Sequence, residues 1–194
     1  MATAARRPVP PKAPTTLDPA STVASHALLT GPHRITVRAR AVLHPYARIM
    51  AGGGPVDIGE GCIIWEKALV GCGDSKITEG EEEDARGVRL GPNVVIETGA
   101  VVEAREVGEG SMIESFARVG VGARIGKYCK ILSYANIPAH TELPDYTVVD
   151  GRNFRRKDKT MANQPLVREI RAANHAKQVK GLQALIPSNL VKWQ

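Results

Sequence analysis

The sequence is poor in aromatic residues, with two Phe, two Trp and four Tyr among 194 residues. Hydrophobic residues still make up 43% of the chain, which is enough to build a buried core. That core must be filled mainly by aliphatic side chains, and a regular repeat is the simplest way to pack them. The low aromatic content therefore favours a repetitive architecture.

Cysteines are few and long apolar runs are absent. Cys62, Cys72 and Cys129 form neither a disulfide framework nor a CxxC metal pair, which indicates a reducing compartment. No apolar run is long enough to span a bilayer, so we expect no membrane insertion. The first residues contain arginine and no acid before Asp18, as a mitochondrial presequence does, but their prolines prevent the amphipathic helix that such a sequence needs. We therefore predict a disordered N-terminal tail over residues 1–20.

Acidic residues are almost missing from the end of the chain. The net charge of +6 divides into −2 over residues 1–151 and +8 over residues 152–194. A basic segment can bind nucleic acid, yet this one has no nucleic-acid-binding motif and no interleaved aromatic residues. We expect no nucleic-acid partner, because a solvated helix face or a contact with an acidic protein partner fits the pattern better.

Aliphatic residues recur every six positions along most of the chain. A second series runs in phase with them, because the fourth residue after an aliphatic anchor is nearly always small, as at Ala117 and Ala123. Glycine often follows the anchor, as at Gly108 and Gly126, where we expect it to serve the geometry of a chain corner. The anchors are Val37, Leu43, Ile49, Ile58, Ile64, Val70, Leu90, Ile96, Val102, Val107, Ile113, Val119, Ile125, Ile131, Ile137, Leu143 and Val149.

A period of six matches one flat side of a triangular coil with about 18 residues per turn, and it does not match an α-helix. Each anchor then points into the column and stacks on the anchor one coil away, roughly 4.8 Å distant, as neighbouring strands do. The spacing predicts a mainly β coil of between five and six turns over residues 21–151, with Val23 and Leu29 adding part of another turn. The predicted core rungs include Val107, Ile113, Val119, Ile125, Ile131 and Ile137.

Two insertions interrupt this repeat. The first, residues 50–55, is short and rich in glycine, and the second, residues 71–87, contains the acidic run at residues 79–84. Consecutive carboxylates repel one another and do not by themselves converge on one ion. We therefore interpret the second insertion as a solvated loop rather than as a cation site.

Beyond the repeat, residues 152–194 form a basic segment in which we predict a helix over about residues 163–186. Pro165 lies where a helix tolerates proline and Pro187 ends the apolar pattern. We expect Leu166, Ile170, Val179 and Leu182 to pack on the coil, and the alternative is that this helix docks on a partner. The full apolar stripe is Leu166, Ile170, Ala173, Ala176, Val179, Leu182 and Leu185.

The anchor series with its in-phase small residues resembles the hexapeptide-repeat family, whose members form left-handed parallel β-helices. The handedness comes from this resemblance, since the usual rule for parallel crossovers is right-handed. One enzyme class on this scaffold, the γ-class carbonic anhydrases, binds zinc through three histidines. The corresponding positions here are occupied by Gly71, Thr98 and Glu103, so the resemblance implies neither a metal nor a cofactor.

A second enzyme class on this scaffold, the hexapeptide acyltransferases, uses a histidine as general base and acts as a homotrimer. None of the histidines has a carboxylate partner nearby in the sequence, and we expect the imidazole of His44 to be solvated. We therefore predict no catalytic residue, and an acyltransferase-like enzyme is kept as the alternative. The five histidines are His26, His33, His44, His140 and His175.

Within the hexapeptide-repeat family, residues 20–150 resemble the small β-helical subunits of dynactin. The shared features are the run at residues 42–49, the Ile-Gly-Glu-Gly sequence at residues 58–61 after a glycine insertion, and the Val-Ile-Glu turn at residues 95–97.

The resemblance implies a non-catalytic adaptor subunit of the dynactin pointed-end complex, which supports dynein-driven transport on microtubules. It also implies a cytoplasmic, cytoskeleton-associated hetero-oligomer. Its expected partners are a second hexapeptide-repeat β-helix (dynactin subunit 5), the pointed-end actin-related protein and other dynactin subunits.

The coil register generates one test. Ile125→Asp places a charge inside the column, where water cannot solvate it, so the variant should unfold or aggregate. Glu82→Ala, in the acidic run, should change the free energy of unfolding by less than about 0.5 kcal/mol. Thermal melts of both variants check the register, and two similar melting temperatures would contradict it.

Overall fold

The computed structural model describes residues 12–73, 86–152 and 154–193. Over these residues the chain forms a left-handed parallel β-helix of about six turns, followed by a C-terminal helix. The mainly β fold class predicted from the sequence is confirmed. No helix within these ranges combines the length and the apolar character needed to cross a bilayer.

The coil has three faces, each a sheet of short strands numbered in chain order. The first face contains β1 (Thr15–Leu17), β4 (Ile35–Val37), β7 (Val56–Ile58), β10 (Val88–Leu90), β13 (Glu106–Val107), β16 (Arg124–Ile125) and β19 (Glu142–Leu143). The second contains β2 (Thr22–Val23), β5 (Val42–Leu43), β8 (Ile63–Ile64), β11 (Val95–Ile96), β14 (Met112–Ile113), β17 (Lys130–Ile131), β20 (Thr147–Val149) and the antiparallel β21 (Arg155–Lys157). The third contains β3 (Leu28–Thr30), β6 (Arg48–Ala51), β9 (Leu69–Cys72), β12 (Val101–Val102), β15 (Arg118–Val119) and β18 (Asn136–Ile137).

The aliphatic anchors lie in the middle of the column. Where the repeat is unbroken, paired residues are 18 apart in sequence, as in Val107↔Ile125 and Ile125↔Leu143. The six core rungs named from the sequence belong to one buried cluster, and each side chain is at most 2% exposed. Most small residues of the second series, among them Ala117 and Ala123, are fully buried beside them.

At a corner between two faces, the residue three positions after an anchor adopts the left-handed backbone conformation. This backbone costs a residue with a β-carbon roughly 1–2 kcal/mol, and hydrogen bonds to the neighbouring coil offset the cost, as from the Tyr128 N–H to the Glu109 carbonyl at 2.8 Å. Among the described residues, nine that are not glycine adopt it, with φ between 52° and 64°: Arg40, Tyr46, Lys67, Asn93, Phe116, Tyr128, Tyr134, His140 and Tyr146.

The glycines that follow the anchors have a different role from the one expected. Gly108 does not adopt left-handed backbone, and a β-carbon added to it would lie 2.6 Å from the backbone of Gly126. These glycines therefore permit the close approach of successive coils. The left-handed corner is two residues further on, at Gly110, whose φ is 65°.

The coil starts at Thr15 rather than at residue 21. Strand β1 pairs in parallel with β4, with Leu17 opposite Val37, and Leu17 packs against the core. Its aliphatic side chain completes a rung of the core, although residue 17 was predicted to belong to the disordered tail. Residues 1–11 lie outside the described residues.

The second insertion is shorter than predicted. Gly71 and Cys72 belong to β9 and pair with Met50 and Ala51 of β6, so the coil continues to residue 72 and resumes at Val88. The acidic run at residues 79–84 lies outside the described residues.

Two helices follow the coil. The short α1 (Lys159–Asn163) begins at Asp158, whose carboxylate accepts a hydrogen bond from the Met161 N–H at 3.0 Å. The longer α2 (Pro165–Leu185) lies against the second face. Contacts along its length are the Arg168 guanidinium over the Tyr146 ring at 5.8 Å, the His175 Nε2–H donating to the Gly61 carbonyl at 2.7 Å, and the Gln183 amide donating to the Ala20 carbonyl at 2.9 Å.

The packed side of α2 differs from the predicted stripe. Val179 is buried against the second face and Leu182 is partly buried, but Leu166 and Ile170 are 65% and 54% exposed. An α-helix turns about 100° per residue, so successive steps of three rotate a stripe by roughly 60° each. The predicted stripe therefore winds around the helix, and the side facing the coil carries Arg171 where an aliphatic residue was expected.

The last residues close the N-terminal end of the column. After α2, Ser188 forms a bridge with Ala24, and a short 3₁₀ helix (Leu190–Trp193) places Leu190 and Trp193 on the core cluster. The Thr15 hydroxyl donates to the Trp193 carbonyl at 2.7 Å. The chain therefore caps this end with its own residues.

The packing of α2 gives a matched pair of substitutions. Val179→Ala removes buried methyl groups and should lower the free energy of unfolding by about 1–2 kcal/mol. Leu166→Ala, on the exposed side of the same helix, should change it by less than about 0.5 kcal/mol. Urea unfolding of both variants measures the difference, and a larger loss for Leu166→Ala would contradict the packing described here.

Candidate interaction surface

The most unusual polar group of the coil is His44, which directly follows β5. Its side chain is 5% exposed, and its Nδ1 lies 2.9 Å from the Glu66 carboxylate one coil away. The imidazole also packs on the Trp65 ring, with 4.2 Å between ring centroids. The expectation of a solvated His44 is therefore wrong, because the neighbouring coil supplies the carboxylate that local sequence lacks.

A carboxylate that orients an imidazole is the arrangement a general base needs. Burial raises the pKa of the Glu66 carboxyl, but the hydrogen bond with His44, the hydrogen bond to the Glu66 backbone and the electrostatic influence of His44 together outweigh it, and the pKa lies below its usual value. The other ring nitrogen, Nε2, is buried and has no hydrogen-bond partner among the described residues. In this conformation no substrate reaches His44, and the pair acts as a packing element between coils.

The other histidines do not form a reactive group with their neighbours. His26 stacks on Tyr46 at the surface, with 5.3 Å between ring centroids, and His33 and His140 make no side-chain hydrogen bond within the described residues. His175 is held by the Gly61 carbonyl, and burial lowers the pKa of its imidazole.

The positions that hold zinc in γ-class carbonic anhydrases do not assemble a ligand set. Gly71 lies in β9, and the pairing of Val70 with Val102 brings Glu103 close to it on the next coil. Thr98 lies in the corner that precedes β12. Within the described residues, no group of three His, Cys, Asp or Glu side chains can hold a metal ion.

Charged residues form a row on the first face of the column. Arg124 lies 3.9 Å from Glu106 and 3.8 Å from Glu142, so cation and anions alternate over three coils. The three side chains are about half exposed or more, and such pairs contribute little to stability. This face is a solvated surface.

Exposed aromatic side chains stand at the corner between the second and third faces, where Lys67 and Gly99 occupy the two coils between Tyr46 and Phe116. Tyr46, Phe116 and Tyr134 are 55%, 50% and 70% exposed, and the rings of Phe116 and Tyr134 stack with 5.4 Å between centroids. Gly99 makes room for Phe116, because a β-carbon there would lie 2.7 Å from the Phe116 ring. We call Tyr46, Phe116 and Tyr134 the aromatic corner. Aromatic side chains are enriched at protein interfaces, which makes this corner the best candidate contact surface.

Sequence reasoning missed the aromatic corner, although the signal was present. Each of its residues stands three positions after an anchor: Leu43, Ile113 and Ile131. Residues at one repeat position stack along one edge of a solenoid, so the aromatic residues could have been aligned from the register alone.

One solved structure is similar over almost the whole chain. A hexapeptide transferase family protein from Anaplasma phagocytophilum superposes with a TM-score of 0.67, covering 90% of this chain and 95% of that one. The column is a hexapeptide-repeat fold. The sequence identity is 12%, so the likeness concerns the fold and does not extend to an activity.

Three relatives with sequence similarity are named dynactin subunit 6. The protein from Danio rerio is 39% identical over 88 residues, the one from Xenopus tropicalis 37% over 87, and the one from Nematostella vectensis 31% over 102. These regions cover 44%, 44% and 52% of this chain and 45%, 43% and 54% of the relatives, so the similarity spans about half the length of each. No family model matches the chain.

The His44–Glu66 pair predicts a pH-dependent effect. The carboxyl has a lowered pKa in the folded state, so its contribution is present above the unfolded pKa and is lost as the pH falls through the folded value. Because water screens the 39% exposed Glu66 side chain, Glu66→Gln should lower the free energy of unfolding by only about 0.5 kcal/mol at pH 7, and by less once the pH falls below the lowered pKa of Glu66.

Glu103→Gln is the control, because its carboxylate has no side-chain hydrogen bond within the described residues. Urea unfolding at pH 7 and at a pH below the lowered pKa of Glu66 measures both variants. Equal losses for Glu66→Gln at high and low pH would show that the hydrogen bond does not depend on the ionised carboxylate.

Proposed function

We propose that this chain is a non-catalytic structural subunit of dynactin, within a pointed-end complex that supports dynein-driven transport along microtubules. The observation that carries the proposal is the 31–39% identity to three proteins named dynactin subunit 6. In this role the protein is cytoplasmic, associates with the cytoskeleton and works as part of a hetero-oligomer.

The shape of the molecule supports an assembly role. Strands stacked over about six turns make a stiff column, and its N-terminal end is closed by Leu190 and Trp193. Because α2 covers the second face and β21 covers part of the last coil, the first and third faces, the corner between the second and third faces, and the rest of the C-terminal end are the surfaces open to partners. We propose that the aromatic corner contacts the second hexapeptide-repeat subunit, dynactin subunit 5, and that the C-terminal end faces the pointed-end actin-related protein and its neighbours.

The alternative function is that of an acyltransferase-like enzyme acting as a homotrimer. One observation favours it, namely the carboxylate-oriented imidazole of His44. The burial of Nε2 opposes it, because a general base must reach the hydroxyl or amine whose proton it accepts. We therefore favour the assembly role.

The proposal is tested by expressing the full chain alone and together with dynactin subunit 5 from the same source. We expect a stable 1:1 complex in size-exclusion chromatography with light scattering. A self-sufficient homotrimer that binds acyl-CoA and ignores the second subunit would refute the assembly role.

Two phenylalanine substitutions test which surface is used. Phe116→Ser removes the centre of the aromatic corner and should weaken the complex by about tenfold or more. Phe154→Ser changes a phenylalanine close to β21 that is even more exposed, and it should leave the affinity within about twofold. Surface plasmon resonance measures both, and the reverse pattern would move the interface to the C-terminal end of the column.

A further inference from the structure

The N-terminal half of α2 does not pack tightly on the coil. Between Arg171 and Gln178, the helix and the second face enclose an open cleft of about 190 Å³. Val95 and Met112 provide apolar surface from the coil, and Asn93 lies at its corner. Only the C-terminal half of α2 contacts the coil through aliphatic side chains, around Val179.

Arg171 stands out among the residues that line this cleft. Its side chain is partly buried, and this burial lowers the pKa of its guanidinium, while Asp158 and Tyr128 oppose the shift. Within the described residues, it makes no hydrogen bond and no ion pair. Asp158 is already engaged by the Met161 N–H. Arg168, one turn earlier, is satisfied by the Met161 and Ala162 carbonyls and by the Tyr146 ring.

A partly desolvated guanidinium that makes no ion pair is costly, and an anion that binds it in the cleft offsets part of that cost. The guanidinium presents a planar fork of donors that matches a carboxylate with two parallel hydrogen bonds. The apolar surface of Val95 and Met112 favours a ligand with a short hydrocarbon part. Asn93, Asn174 and Gln178 supply further polar groups at the rim.

Glu109 disfavours a ligand that carries more than one negative charge. Its carboxylate also lines the cleft, where it accepts a hydrogen bond from the Tyr128 hydroxyl at 3.3 Å. A second negative charge on the ligand would meet this carboxylate at short range and be repelled. The cleft therefore suits a single carboxylate better than phosphate or a dicarboxylate.

We propose that the cleft between α2 and the second face is a binding site for a carboxylate with a short apolar stem, with Arg171 as its anchor. This site is separate from the aromatic corner, and it does not depend on the assembly role proposed above. A free carboxylic acid and a glutamate side chain of a protein partner share this chemistry, so the test includes a probe for each.

The experiment is calorimetric titration of the full chain with butanoate and with N-acetyl-glutamate amide, which presents only the side-chain carboxylate. 1-Butanol, inorganic phosphate and succinate serve as comparison probes. We expect at least one of the two monocarboxylates to bind and the three comparison probes to bind at least about tenfold more weakly. The stronger of the two monocarboxylates identifies the source of the ligand.

Three variants decide the role of Arg171. Arg171→Met should weaken monocarboxylate binding by about tenfold or more, because it removes both charge and donors. Lys177→Met, which removes the same charge from the exposed side of α2, should leave binding unchanged. Glu109→Gln should strengthen monocarboxylate binding and admit succinate, an effect that loss of structure cannot produce.

Thermal stability separates a binding role from a structural one. Because the guanidinium is partly buried and makes no ion pair within the described residues, Arg171→Met should melt at the same temperature as the unaltered protein or higher. The proposal is overturned if neither monocarboxylate binds, if 1-butanol binds as well as butanoate, or if Arg171→Met binds butanoate normally. A clearly lower melting temperature for Arg171→Met, with no effect of Glu109→Gln on binding, would make Arg171 a structural residue instead.

Discussion

The fold depends on the stacking of one aliphatic side chain on another, once per face in every coil. Ile125 lies between Val107 and Leu143 in the first face, and parallel backbone hydrogen bonds hold the three strands in register. Because each strand is only two or three residues long there, no single strand is stable alone, and the column is stable only as a stack. The requirement that every anchor face inward fixes the corners, and the corners fix which residues lie on the outside.

A stack of parallel strands has open ends, and this chain closes one of them with its own C-terminal segment. The segment leaves the column at β21, returns along the second face as α2 and brings Trp193 onto the first coil. This single segment therefore covers exposed backbone at the last coil, buries apolar surface on the second face and shields the core at the first coil. This explains why a basic segment with only modest apolar content is part of the folded unit.

The repeat could be predicted from the sequence because a period of six in one residue class is visible without any long-range information. The limits of that prediction are physical. His44 and Glu66 are 22 residues apart, and only the register, which pairs Leu43 with Ile64, brings them together. The packed side of α2 was misjudged because steps of three were read as one face. The aromatic corner was missed because only the anchors and their small neighbours were aligned, and the third position after each anchor was not.

The second face shows how a covered surface can hold one buried and one partly buried polar side chain with opposite consequences. His44 meets its carboxylate on the next coil, so the pair is largely satisfied and joins the packing of the column. Arg171 is brought to the coil by the helix, and within the described residues its guanidinium forms no ion pair, although Glu109 lines the same cleft. An aliphatic residue at this position would extend the cluster around Val179 along the whole helix. With arginine at this position, the aliphatic packing is absent and a cleft remains. A loss of packing stability of this kind is characteristic of positions that serve binding rather than folding.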